Sequence, residues 1–107
     1  MACDCCNYRC ARASSIVTTT EGSSTYLTIT VPAGTDLTSP GCLNIGLFSS
    51  IPNTVSCARM VVTNGTVTLP VLQMNGNNYR PTRLKCRSIL RTLVLTDPAH
   101  LLVKGAC

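Results

Sequence analysis

The sequence predicts a single small all-β domain, a β-sandwich or jelly-roll-like barrel, preceded by a cysteine-rich N-terminal arm. Three observations carry that expectation. Tyr26-Leu27-Thr28-Ile29-Thr30-Val31 alternates apolar and hydroxylated residues with the period of a half-buried strand. Asn64-Gly65, the dipeptide favoured in two-residue hairpin turns, stands between two apolar, β-branched runs. No window shows helical periodicity, whereas Thr, Val, Ile and Leu supply 15, 9, 5 and 12 of the 107 residues, a usage suited to pleated surfaces. A chain of this length holds one modest core, not two.

Residues 1–24 read as the arm: a cysteine-rich tip, the run Thr18-Thr19-Thr20, and little apolar surface beyond Ile16 and Val17. Such a segment is expected to order only against a partner, with a short strand through Ile16–Thr20. The β-domain spans 25–103. Its first strand places Leu27, Ile29 and Val31 on one face and ends at Pro32. Ala33-Gly34-Thr35-Asp36 is turn chemistry. Leu43–Phe48 forms a second strand. Val55–Thr63 and Thr66–Leu72 then make a hairpin about Asn64-Gly65, with Pro70 requiring an edge or a bulge because proline donates no ladder bond. Asn75–Asn78 turns again. Leu84–Leu95 is a long strand, Thr96-Asp97-Pro98 breaks it, and His100–Val103 is a short last strand before a tail at 104–107.

Charged residues make up only 12% of the chain, against ~25% in an ordinary globular domain. No apolar run is long enough for a membrane-spanning helix. Eight cysteines are spread unevenly. Cys3, Cys5, Cys6, Cys10 and Cys107 lie at the two ends, where they are candidates for crosslinks between subunits. Cys3, Cys6 and Cys10 could alternatively ligate a metal, but structural zinc ordinarily takes two separated Cys pairs about a folded knuckle, and no second Cys-x-x-Cys exists. A third reading is a tip whose thiols are merely tolerated. Cys86 falls in phase with Leu84, Ser88, Leu90 and Val94, as a small buried hydrophobe would. Cys42 and Cys57 end adjacent strand candidates and could pair. The start has no basic region followed by an apolar stretch, so no classical export signal is read there.

Five of the nine basic residues, Arg80, Arg83, Lys85, Arg87 and Arg91, fall within twelve positions. Lys85, Arg87 and Arg91 share one strand face, a stripe that could meet nucleic acid. Single-strand binders usually add exposed aromatics for stacking, and only Tyr79 lies nearby. The bland alternative is a solvated outer face. His100, the one histidine, follows Asp97-Pro98 and reads as a hydrogen-bonded structural residue. With four carboxylates, one histidine and no nucleophile-elbow context, no enzyme and no cofactor is expected.

A small β-domain without catalytic groups can build, through sheet edges or exchanged arms. The start without an export signal, the Thr/Asn/Gly-rich strands and Gly76-Asn77-Asn78-Tyr79-Arg80-Pro81 resemble small structural proteins of tailed bacteriophages, of head-decoration or fibre type. Cys5-Cys6, followed by Cys10 after three residues, resembles the connector of spore-appendage subunits, where the interval is longer. Both resemblances imply a homo-oligomer, located in a virion or an extracellular filament, with other virion proteins as further partners. A nucleic-acid-binding β-domain using the Arg80–Arg91 stripe and a zinc-binding adaptor are the alternatives.

Overall fold

The computed structural model describes residues 9–47, 58–79, 88–96 and 98–106. Eight strands follow in chain order: β1 (Arg9–Arg12), β2 (Ser15–Glu21), β3 (Ser24–Thr30), β4 (Gly41–Leu47), β5 (Arg59–Thr63), β6 (Thr68–Leu72), β7 (Ser88–Thr96) and β8 (Ala99–Ala106). They form one curled sheet, a half-barrel, in the order β1-β4-β7-β8-β6-β5-β3-β2. The all-β class is as predicted, and the described residues contain no helix.

Alternation builds the inner face. Leu27, Ile29 and Val31 are buried as the sequence predicts, and Met60, Val62, Leu69 and Val71 continue the layer across β5 and β6. Leu90 and Val94 of β7 and Leu101 and Val103 of β8 complete it. Each such aliphatic side chain contributes roughly 1.5–3 kcal/mol by leaving water. β4 departs from alternation: all residues from Leu43 to Leu47 are buried, so this strand is covered on both faces.

The order of the sheet has an unusual closure. Its two edges, β1 and β2, are consecutive in the chain, separated only by Ala13 and Ser14. Ala13 N–H donates to Gly46 O on β4 (2.9 Å), and Ser14 N–H donates to Thr30 O next to β2 on β3 (2.7 Å). Neighbouring residues therefore reach opposite ends of the strand order. Thr30 is already the register partner of Ser15, so Ser14 and Ser15 together face one residue, a β-bulge. The bulge bends the strand from one edge to the other, and the small Ala13 and the inward Ile16 are buried around it.

The predicted arm is folded in part, and its expected strand through Ile16–Thr20 lies within β2. Residues 9–21 belong to the sheet, Cys10 among them, while residues 1–8 lie outside the described region. Pairing with β4 and β3 satisfies backbone groups that the sparse apolar content of this segment gave no hint of. The predicted tail at 104–107 is corrected likewise, because β8 runs to Ala106, eight residues in place of the four expected. Pro70 lies in an interior strand, but β8 joins β6 only from Val71 onward, so Pro70 sits where no donor is required on that side.

The hairpin also shifts by one residue. Asn64 N–H donates to Val67 O (3.2 Å), which makes Gly65-Thr66 the central pair in place of Asn64-Gly65. Gly65 takes φ 94°, the positive value a primed hairpin turn needs at its first central position. Asn64 braces the turn from outside. Its Oδ1 accepts from Thr66 N–H (3.0 Å) and Val67 N–H (2.8 Å), and its Nδ2 donates to Thr35 O (2.8 Å).

Candidate functional site

The most distinctive surface is the outer edge of β2. Ile16 alone points into the core, and Val17, Thr18, Thr19, Thr20 and Glu21 are all exposed. Val17 is 48% exposed, unusual for an aliphatic residue within a strand. β2 stands last in the sheet order, and no strand among the described residues flanks its outer side.

Which backbone groups face outward follows from the ladder. Val31 N–H donates to Thr63 O, so odd-numbered residues of β3 face β5 and even-numbered ones face β2. Ser14 N–H donating to Thr30 O agrees with this parity. In the β2–β3 register the bonded pairs are then Ser15–Thr30, Val17–Thr28, Thr19–Tyr26 and Glu21–Ser24. The N–H and C=O groups of Ile16, Thr18 and Thr20 point away from the sheet. Natural edges are usually blunted by Lys, Pro or a covering segment. Here the only charge on the strand is Glu21, at its end. Such an edge is suited to accept another strand.

The residues singled out by sequence distribute as follows. Cys10 is exposed on β1 and is disulfide-bonded rather than a thiol. The β1–β4–β7 register places Cys10, Asn44 and Arg91 in one cross-strand row on the outer face. Arg91 is exposed, as the predicted stripe requires. Cys3, Cys5, Cys6, Cys107, Arg80, Arg83, Lys85 and Arg87 lie outside the described residues, as do Cys57 and Cys86. Tyr79 offers no exposed ring for stacking. It is buried at 7% exposure within the hydrophobic core, its N–H donating to Val71 O (3.1 Å).

Cys42 keeps its thiol, and Cys57, with which the sequence allowed it to pair, lies outside the described residues. Lys104 Nζ donates to Cys42 Sγ at 3.1 Å. Lys104 gets there through a second irregularity, since β7 pairs Arg91 with Gly105 and Thr92 with Val103, leaving Lys104 as the extra residue. Among the described residues no group of three His, Cys, Asp or Glu could hold a metal ion.

Two polar sites are structural. His100 Nδ1 donates to Pro98 O (2.7 Å), an arrangement that fixes the proton on Nδ1 because the carbonyl can only accept. Asp36 caps the β3–β4 connection. The Ser39 hydroxyl, then the Thr38 N–H and hydroxyl and the Ser39 N–H, hydrogen-bond its carboxylate and hold it well below the usual carboxylate range. Leu37, between Asp36 and these donors, is buried in the core.

In the sequence the edge residues read as a threonine run with a short strand inside the arm. The usable signal was chemical: consecutive β-branched residues without alternation, charge or proline describe a strand exposed on both faces. No protein-family model matches the chain, and no curated protein or solved structure matches it either.

Proposed function

We propose that this protein is a self-assembling structural subunit, of a virion (capsid decoration or fibre) or of an extracellular filament. The observation that carries the reading is the outer edge of β2, with exposed, nearly uncharged residues and outward-facing backbone groups. A monomer living alone in water gains nothing from such an edge and risks uncontrolled pairing. A subunit whose neighbours complete the sheet uses it. The low charge content agrees, because contact faces need no solubilising groups. In this reading the half-barrel is the body of a jelly-roll-like subunit, and cysteines among Cys3, Cys5, Cys6 and Cys107 lock contacts covalently once the assembly meets an oxidising medium.

The test is direct. The purified protein is followed by sedimentation velocity and negative-stain microscopy, with and without reductant. Ordered oligomers that grow with concentration are expected, with the reductant-sensitive fraction reporting the covalent locks. A monomer at every concentration, in both redox states, overturns the proposal. Steeply salt-dependent oligonucleotide binding by that monomer would transfer the function to the Arg80–Arg91 stripe, and stoichiometric zinc would transfer it to the cysteine cluster.

A further inference from the structure

We infer that the β2 edge is a two-fold seam that joins two copies of this chain antiparallel, with Thr18 on the symmetry axis. The inference rests on the self-assembly reading and names the partner and register of its central surface. Three observations lead to it. First, the outward-facing residues Ile16, Thr18 and Thr20 are spaced symmetrically about Thr18. An antiparallel copy centred there pairs Ile16 with Thr20, Thr18 with its own equivalent, and Thr20 with Ile16, each exchanging two backbone hydrogen bonds. Centring on Val17 or Thr19 shifts the match and strands one of the outward residues.

Second, the side chains agree with this register. Val17 meets Thr19 of the other copy on one face, which covers the exposed valine. On the other face Thr18 meets Thr18, a favourable cross-strand combination, and Thr20 meets Ile16. Glu21 faces Ser15, so no like charges oppose one another. Third, the edge has nothing with which to select a foreign strand. Partner choice in strand addition comes from side-chain pockets, and residues 17–21 are exposed throughout. What the strand does offer is complementarity to itself, the requirement for an isologous contact. A filament or shell would then need a second contact elsewhere on the dimer.

Three variants at one position test the seam. Thr18→Pro removes a donor that faces outward and leaves the β2–β3 bonds intact. It is expected to fold, by circular dichroism, and to weaken dimerisation about tenfold or more in sedimentation equilibrium. Thr18→Lys and Thr18→Glu place like charges face to face on the axis. Each alone is expected to dissociate at low salt and recover at high salt, and an equimolar mixture is expected to restore the dimer at low salt. Should the proline variant fail to fold, the charge pair still decides. If the wild type assembles but the Lys and Glu variants assemble as well alone as mixed, the seam is wrong while the subunit reading stands. If the wild type never assembles, both fall together.

Discussion

Thr92 shows how much one side chain can settle. It is fully buried in an otherwise apolar layer, and its Oγ1 donates to Leu43 O at 2.7 Å across the β4–β7 pair. That bond removes the cost of burying a hydroxyl. Thr92→Val keeps the shape and loses the bond, with an expected destabilisation of about 0.5–1.5 kcal/mol in urea denaturation. Thr92→Ser keeps the bond and loses a methyl, at roughly 1 kcal/mol. Similar losses in both would show that packing and bonding share the site. Asp36 makes the residue-scale pH prediction. Its carboxyl is held low in the folded state by the Ser39 and Thr38 donors, so the stability it contributes is complete above the unfolded value of ~4 and is lost as pH falls through the lower folded value. The stability gap between wild type and Asp36→Asn should therefore narrow on acidification below ~pH 4. A carbon-detected titration of Asp36 with an ordinary midpoint would refute the account.

At the scale of elements, the β5–β6 hairpin depends on the side chain of Asn64 as much as on Gly65. Asn64→Ala removes two acceptor bonds and the donor to Thr35 O, with an expected cost of about 1–3 kcal/mol. Asn64→Asp retains the acceptors and gives up the link to the β3–β4 connection, so it should cost less than the alanine. Equal losses in thermal unfolding would place the stabilising contribution in the Thr35 bond alone. The hairpin's existence was legible because Asn-Gly between two apolar, β-branched runs has few other uses. Its register was not, since the dipeptide can occupy the centre of the turn or straddle its first position. The bond from Asn64 N–H to Val67 O decides which, and the Asn64 Nδ2 bond to Thr35 O, remote in sequence, braces that choice.

The whole molecule is shaped by non-local pairings. β1 joins β4, β3 joins β5, and β6 joins β8, all in parallel and all between segments distant in sequence. Loops must close before those contacts form, so folding is expected in the millisecond-to-second range by stopped-flow fluorescence of the tyrosines. Microsecond folding would contradict this topology. The closure at Ala13–Ser14 belongs to the same scale. A segment that buries Ala13 and Ile16 in the core and packs Ala11 against it is held in place by bonds to strands near both ends of the sheet order.

The sequence by itself determined the β class, the inward faces of β3 and β7, the breaks at Pro32 and Pro98, and the hydrogen bonding of His100. Those features arise from local periodicity and turn chemistry, which act between neighbours in the chain. Only the tertiary structure decided that residues 9–21 join the sheet, that Tyr79 fills the core instead of exposing its ring, and that β2 is left at an edge. Each of these depends on what a distant strand offers as a partner. Hydrogen bonds between strands remote in sequence leave no periodic trace in either strand alone, so the threonine run marks a strand without saying which neighbour pairs with it. The sheet order turns that run from an arm into an edge.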